Sequence, residues 1–387
     1  MPRRTNPSNN ATLKSQPKRK IHHPPSGAAP APPAVALPIH KQPYLPIERS
    51  LLESLAATLD RALADPNLTV KIQQIKALLY EKRFLEVFER EQWLDIYAAR
   101  WVPSRALAFR EIFTDVGLFE RQEEMATFLA VAGKGKAKEI ETDLTQAVAG
   151  VSLDEQTPSQ NVLCIGGGAG SELVALAAIV AESLNNNQGT TSLPTLDVHL
   201  LDIGPYGPLI ERFQAEAVYR LVAPSTTSVS ATFQQLDVLS TTAVPLFERL
   251  LEPTSASSPP PIITLLFTLT ELFLQSRPAT IALLGTITRL APRGTLFLVV
   301  DAANEEASAV SVGKEGRSWS LGTVMDGVLS APPPRQEGED PAERPRPAWR
   351  KLEAEDSKWF RLREGLQDHY PVKLENTRYW LRLYRRN

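Results

Sequence analysis

The chain has 387 residues, 43% of them hydrophobic, which is enough for a buried core in one large domain, alone or with a smaller companion. Its single cysteine, Cys164, excludes an intramolecular disulfide bond and fits a reducing intracellular compartment. No apolar run approaches the roughly 18 to 20 residues that span a bilayer, so we expect no membrane partner.

The formal net charge of −2 results from an uneven distribution of charged residues along the chain. Residues 1–47 contain seven Lys or Arg and no Asp or Glu, so the remainder is acidic. Residues 1–43 are also rich in proline, which precludes a helix, and we predict a disordered basic tail. Its cluster Lys18-Arg19-Lys20 is a candidate nuclear address or nucleic-acid contact, and the alternative is a solvated linker.

Residues 44–145 are predicted to form a helical subdomain, because apolar residues recur there every three or four positions. Pro103 is expected to break the chain, with Ser104 as the N-cap of the helix that follows. The predicted helices cover residues 47–64, 70–88, 91–99 and 104–128.

Residues 146–387 are predicted to form an α/β domain, because short apolar strands alternate there with helices. Continuous apolar runs such as ITLLFTL and TLFLVV suit parallel strands that are buried on both faces. Residues 357–362 and 372–384 are predicted to add a late antiparallel pair, and the Pro-rich residues 331–348 a disordered insertion. The parallel strands are predicted at 161–165, 195–203, 230–238, 262–269 and 294–301, and the helices at 171–184, 209–222, 244–251 and 271–290.

A glycine-rich turn follows the first of these strands. Glycines allow a sharp reversal and bring a ligand close to free backbone N–H groups. The spacing G-x-G-x-G at Gly166, Gly168 and Gly170 is typical of methyltransferases that bind S-adenosylmethionine (SAM). The dinucleotide pattern G-x-G-x-x-G/A would need a small residue at position 171, where Ser171 fits poorly. A purely structural turn is the alternative interpretation.

Acidic residues at the ends of the next two strands support a nucleoside ligand. Asp202 is positioned to accept hydrogen bonds from ribose hydroxyls, unless it is simply a solvated residue at a strand end. Asp237 could contact an adenine amino group, or it could cap a helix. The predicted cofactor-binding residues are Gly166, Gly167, Gly168, Ala169, Gly170, Asp202, Ile203, Asp237, Val238 and Thr268.

The end of the fourth strand is expected to face the substrate. Thr270, Glu271 and Asp301 are candidate catalytic residues by position alone, and Glu271 could instead favour the start of the next helix. The sequence contains neither a C-x-x-C pair nor His residues at metal-ligand spacing, so we expect no metal.

A basic and aromatic segment in the helical region is a candidate RNA contact. Because the chain is net acidic, it must concentrate basic residues locally to bind RNA. Arg100 and Arg105 would suit phosphates, and Trp101 could stack on an unpaired base. The alternative is that Trp101 is a core residue and that the arginines pair with acidic residues on neighbouring helices.

The sequence resembles the fungal 25S ribosomal RNA (uridine-N3)-methyltransferase family. This resemblance implies a Rossmann-like class I methyltransferase fold with a helical N-terminal extension and SAM as cofactor. It also implies methylation of N3 of a uridine in large-subunit ribosomal RNA within a pre-ribosomal particle, in the nucleolus. The segments that resemble the family include YAARWVPSRAL (97–107), VLCIGGGAGSE (162–172), LLFTLTELF (265–273) and YPVKLENTRYWLRLYRR (370–386).

Two departures from the family leave other functions open. The family often carries Asn where this chain has Thr270, and its loop after Asp301 is richer in Gly and Ser than residues 304–310 are. One alternative is therefore a ribosome-assembly factor that keeps the fold without turnover. A dinucleotide-dependent oxidoreductase is a further alternative, which the glycine spacing disfavours.

Overall fold

The computed structural model describes residues 40–124, 159–186, 195–222, 229–253, 258–303, 309–312, 317–332 and 346–387. The chain divides into residues 1–38, which lie outside these ranges, and residues 39–387. The predicted cluster Lys18-Arg19-Lys20, residues 304–308 of the loop after Asp301 and most of the predicted insertion at 331–348 also lie outside them.

Helices dominate the first described segment, as predicted. The strand β1 precedes them and pairs in parallel with β10 (Arg363–Glu364), so the predicted tail, residues 1–43, extends too far along the sequence. The elements are β1 (His40–Pro43), α1 (Pro46–Thr58), α2 (Asp60–Leu63), α3 (Leu68–Tyr80), α4 (Phe84–Phe88) and α5 (Glu91–Asp115).

The predicted helix over residues 70–88 is divided into α3 and α4 by a left-handed residue, Lys82, whose φ is 60°. The Arg83 N–H donates to the Leu78 carbonyl at 2.9 Å, and the Lys82 N–H donates to the Leu79 carbonyl at 3.1 Å. This pair of bonds is the Schellman arrangement that ends a helix. It redirects the chain so that α4 runs along the functional cleft described below.

The predicted break at Pro103 is wrong, because α5 continues through it. A proline lacks the N–H that would bond to the carbonyl four residues earlier, here that of Ala99. The Tyr370 hydroxyl donates to this carbonyl at 2.8 Å and replaces the missing bond. Ser104, predicted as an N-cap, instead accepts a hydrogen bond from the backbone N–H of Glu375 at 3.0 Å.

The second part of the chain forms a seven-stranded sheet in the order β4-β3-β2-β5-β6-β11-β9. The first five strands are parallel, and β11 runs antiparallel to both β6 and β9. The predicted α/β class with a late antiparallel pair is confirmed, although the first strand of the pair begins earlier than predicted, at Trp349, and the second begins later, at Thr377. The strands are β2 (Ser159–Ile165), β3 (Thr195–Asp202), β4 (Val229–Gln235), β5 (Ile262–Leu266), β6 (Leu296–Ala302), β7 (Ala309–Val312), β8 (Arg317–Ser320), β9 (Trp349–Phe360), β10 (Arg363–Glu364) and β11 (Thr377–Arg386).

Helices cover both faces of this sheet. Side chains alternate along β2, so Val162 and Cys164 belong to one hydrophobic core and Leu163 and Ile165 to the other. The first core also contains residues of α1, α5 and the helix α6 (Ser171–Asn186), so the helical segment and the sheet share it. A π-helix, Phe213–Val218, joins α7 to α8 within the predicted helix 209–222. The remaining α-helices are α7 (Gly207–Arg212), α8 (Tyr219–Val222), α9 (Val244–Leu251), α10 (Leu269–Gln275), α11 (Arg277–Leu290) and α12 (Leu321–Leu329).

The strand order reverses at β2, which pairs with β3 on one side and with β5 on the other. In open parallel sheets, ligands bind at such a reversal, beyond the carboxyl ends of the strands. The fold therefore predicts a site beside the glycine-rich turn. Among the described helices, none has the length and apolar composition needed to cross a membrane.

Candidate active site at the carboxyl edge of the sheet

A cleft of about 440 Å³ opens at the carboxyl ends of β2, β3, β4 and β5. This volume lies in the usual range for ligand pockets. The segment Lys82–Phe88 and two residues of α5, Tyr97 and Arg105, form a further wall. The predicted site residues that line the cleft are Gly166, Ala169, Asp202, Ile203, Asp237, Val238, Thr268 and Glu271, together with Arg105.

The glycine-rich turn brings the ends of β2 and β5 together. Gly166 has a φ of +75°, a conformation that other residues rarely adopt, and its N–H donates to the Leu201 carbonyl at 2.8 Å. A Cβ on Gly166 would overlap the hydroxyl of Thr268. Gly170 has a φ of +76° and packs against Phe213. This close approach explains why the turn requires glycine.

Asp202 joins this turn to the end of β3. Its carboxylate accepts hydrogen bonds from the N–H of Gly168 at 3.0 Å and from the N–H of Gly204 at 2.9 Å. A Cβ on Gly168 would lie 2.5 Å from Cγ of Asp202. Burial raises the pKa of Asp202 to about 6, although backbone hydrogen bonds oppose the shift. Asp202 therefore orders the turn as well as lining the cleft.

Asp237 and Val238 line the cleft beyond Asp202, after β4 has ended at Gln235. The Asp237 carboxylate accepts a hydrogen bond from the Leu239 N–H at 2.9 Å. Its side chain therefore caps a local turn and lines the cleft at the same time, so the two roles considered from the sequence are compatible.

The end of β5 contains a backbone outlier. Phe267 has a φ of 55° although it is not glycine, and such conformations cost free energy and concentrate at functional sites. Its ring stacks on that of Phe109 in α5, with ring centroids 5.9 Å apart. The next residue, Thr268, precedes α10 and lines the cleft.

Asp301 lies behind the cleft and fixes the first turn of α10. It accepts hydrogen bonds from the Thr270 N–H at 2.7 Å and from the Thr270 hydroxyl at 2.9 Å. Burial raises the pKa of the Asp301 carboxyl. Neither Asp301 nor Thr270 lines the cleft. Both residues therefore position the neighbouring Glu271.

Glu271 presents a carboxyl group to the cleft whose pKa is raised to about 8. Burial is the main cause, Arg105 opposes it, and the negative charges of Asp301 and Asp202 add to it. A carboxyl group with this pKa can exchange a proton near neutral pH, as general acid–base catalysis requires.

The three residues predicted to contact RNA do not form one surface. Arg100 is buried and pairs with Glu375. Trp101 is half-buried and stacks on Tyr97, with ring centroids 4.7 Å apart. Arg105 lines the cleft, and its guanidinium donates to the Tyr97 hydroxyl at 2.6 Å. Arg100 thus pairs with an acidic residue, as in the alternative interpretation, but Glu375 lies in the segment before β11 and not on a neighbouring helix.

The comparison with known families decides the class of this protein. A family model described as "Putative SAM-dependent methyltransferase" matches residues 55–385. The chain belongs to this family. Family membership excludes the dinucleotide oxidoreductase considered from the sequence, and it shows that the methyltransferase uses SAM as cofactor.

One curated relative of the methyltransferase covers almost its whole length. It is the 25S rRNA (uridine(2843)-N(3))-methyltransferase of Saccharomyces cerevisiae, 25% identical over 374 residues, which cover 91% of this chain and 88% of the relative. Solved structures similar to the methyltransferase include a SAM-dependent methyltransferase from Methanosarcina mazei, 12% identical, covering 59% of this chain and 93% of that chain with a TM-score of 0.32. Another is the N-methyltransferase NodS from Bradyrhizobium japonicum in complex with S-adenosyl-l-homocysteine. It is 10% identical and covers 59% of this chain and 78% of that chain, with a TM-score of 0.28.

The residues of the cleft fit SAM. Gly166 and Ala169 bring the glycine-rich turn to the cleft, and Asp202 and Asp237 offer carboxylates to hydroxyl and amino groups. The carboxyl groups, Glu271 among them, also suit a ligand that carries a sulfonium and an ammonium group. Among the described residues, no group of three or more His, Cys, Asp or Glu could hold a metal ion.

Sequence reasoning missed part of this site. It assigned no cofactor role to Arg105, and it did not single out Tyr97, Phe267 or the segment Lys82–Phe88. Only the fold brings these residues together, since no local spacing relates α4 and α5 to the sheet. The stretch 97–107, noted for its resemblance to a family, was the one available signal.

Proposed function

We propose that this methyltransferase modifies N3 of a uridine in large-subunit ribosomal RNA. The observation that supports this most directly is Glu271, a carboxyl group in the cofactor cleft whose pKa of about 8 suits proton exchange at neutral pH. The similarity to the yeast enzyme along nearly the whole chain supports the choice of RNA and of atom.

Methylation of a uridine at N3 needs a base. N3 carries a proton between two carbonyl groups, and this proton has to leave as the N–C bond forms. Bound SAM supplies an electrophilic methyl group and leaves as S-adenosylhomocysteine. Glu271, in its ionised form, takes the N3 proton, and Asp301 and Thr270 hold the helix turn that carries it.

The mouth of the cleft suits a single flat base. Leu85 of α4 and Leu274 of α10 both line it, and both are partly exposed, at 42% and 49%. A base within a duplex cannot reach a recessed carboxyl group, so the target uridine must be unpaired or flipped out of its stack. Apolar side chains at the mouth favour such a base over the charged phosphate backbone.

The cellular setting follows from the substrate. A protein that methylates pre-ribosomal RNA works in the nucleus and the nucleolus, and its partner is the pre-ribosomal particle. The basic residues 1–47 suit either a nuclear address or a loose RNA tether.

An in vitro reaction tests the proposal. Purified protein is incubated with SAM and deproteinised large-subunit RNA that lacks the modification, and the digested nucleosides are separated by mass spectrometry. We expect N3-methyluridine with the native chain and a strongly reduced yield with Glu271→Gln, which cannot accept the proton. A methyl group on a ribose or on another base atom contradicts the assignment. Binding of RNA and SAM without any product supports the non-catalytic assembly factor instead.

A further inference from the structure

The deepest cation in the cleft is Arg105, on the central part of α5. Its guanidinium lies over the rings of Tyr97 and Phe267, at 5.7 and 5.6 Å from their centroids. The other basic residues of the cleft wall are Lys82 and Arg83, on the turn between α3 and α4. Arg83 is half-exposed and already pairs with Glu81 and Glu86.

Arg105 has no acidic partner, unlike three of the buried arginines among the described residues. Arg100 pairs with Glu375, Arg110 with Glu182 and Arg382 with Asp356. Among the described residues Arg105 forms no ion pair, and its one hydrogen bond is to the Tyr97 hydroxyl. A guanidinium has five N–H donors and keeps its charge. A half-buried cation that lines a ligand cleft and leaves most of its donors unused favours an anionic group on the ligand.

The charges of SAM and of the cleft complement each other at this point. The sulfonium and ammonium groups of SAM suit a cleft that is lined by several carboxyl groups. The remaining charged group of SAM is the carboxylate of its methionine part, which needs a cation. Arg105 is the cation that lies inside the cleft and has N–H donors without a hydrogen-bond partner among the described residues.

The positions of the elements agree with this pairing. Asp202 and Asp237 follow β3 and β4, on one side of the glycine-rich turn, where the ribose and the adenine are expected. Arg105 lies on the other side, against Phe267 at the end of β5, which pairs with β2 on the edge opposite β3. A nucleoside that points toward β4 directs its methionine part toward β5 and Arg105.

We propose that Arg105 binds the carboxylate of the methionine part of SAM, so that α5 of the helical layer completes the cofactor site. The planar guanidinium can donate two parallel hydrogen bonds to a carboxylate, which is its strongest form of recognition. The methyl-donor site then needs the helical segment as well as the sheet, and Arg105 serves the cofactor rather than RNA phosphate.

Calorimetric titration with two ligands tests this inference. S-adenosylhomocysteine has the methionine carboxylate, and 5′-methylthioadenosine lacks the whole amino-acid end. We expect Arg105→Gln to weaken S-adenosylhomocysteine binding about 10- to 100-fold, the scale of hydrogen bonds between charged groups, and to change 5′-methylthioadenosine binding less than about threefold. Arg289→Gln, which removes an exposed arginine of α11 that does not line the cleft, is the control and should leave both affinities unchanged.

Two results overturn the inference. An equal loss for both ligands means that Arg105 maintains the shape of the cleft and does not bind the carboxylate. An unchanged affinity for S-adenosylhomocysteine together with weaker RNA binding assigns Arg105 to the RNA. If Arg105→Gln does not fold, the two ligands SAM and decarboxylated SAM are compared on the native protein. Decarboxylated SAM should bind at least about tenfold more weakly than SAM does, and equal affinities refute the proposal.

Discussion

Glu271 should make the stability of the protein depend on pH. Its pKa is raised from 4.5 to about 8 in the folded protein, mainly by burial. Between these two values the folded state retains a proton that the unfolded state has released. The contribution of Glu271 to stability is therefore greatest below pH 4.5 and is lost as the pH rises to 8.

The size of this effect follows from the shift. One pKa unit corresponds to about 1.4 kcal/mol, so Glu271 lowers the free energy of unfolding by about 3 kcal/mol between pH 5 and pH 8. Glu271→Gln removes the titrating group and keeps the shape of the side chain. The free energy of unfolding of the variant should rise relative to that of the native protein as the pH increases over this range, because the variant has no buried carboxyl group to ionise.

Urea denaturation without ligand, at unit intervals from pH 5 to pH 8, measures this difference. We expect the free energy of unfolding of Glu271→Gln minus that of the native protein to rise by about 3 kcal/mol across the series. Glu120→Gln, at an exposed glutamate, is the control and should show no such rise. A difference that is constant from pH 5 to pH 8 would refute the raised pKa of Glu271 and with it the base assigned to the reaction.

Three further predictions concern the glycine-rich turn, the proline inside α5 and the basic tail. Gly168→Ala should weaken SAM binding and cost roughly 1 to 3 kcal/mol of stability, because its Cβ would collide with side chains at the end of β3. Gly285→Ala is the control and should not destabilise the protein, because a Cβ on Gly285 would meet no described atom within 4 Å. Tyr370→Phe should cost roughly 1 to 3 kcal/mol by thermal or urea unfolding, because it leaves a buried carbonyl of α5 unpaired. Tyr379→Phe removes a hydroxyl that has no hydrogen-bond partner among the described residues, and it should cost almost nothing. Deletion of residues 1–38 should reduce nuclear accumulation of a fluorescent fusion and leave the melting temperature unchanged, and a large fall in that temperature would contradict the predicted tail.

The spacing of residues along the sequence was sufficient to predict the glycine-rich turn and the acidic residues that follow the strands. The glycines of the turn are needed because Gly166 and Gly168 lie in contact with Thr268 and Asp202. A turn between a strand and a helix can be recognised in the sequence, so this close contact could be predicted. The acidic residues were found because each follows a recognisable apolar strand. The same reasoning located the parallel sheet and its antiparallel end.

The errors arose where a distant residue compensates for a local preference. Pro103 breaks an isolated helix, but the hydroxyl of Tyr370 supplies the missing bond from 267 positions further along the chain. Arg105 lies two positions beyond Pro103, and its place in the cleft depends on α5 being continuous. The wrong break and the missed cofactor residue therefore have a common origin.

The proposed activity of this protein is methylation of N3 of a uridine in large-subunit ribosomal RNA. A methyl group at N3 removes the N–H donor of the Watson–Crick edge, so reverse transcription stops at the modified nucleotide. Primer extension along the large-subunit RNA should show one strong stop in normal cells. We predict that this stop disappears when the gene is deleted, returns with the native chain and does not return with Glu271→Gln. An identical pattern of stops with and without the gene would contradict the claim.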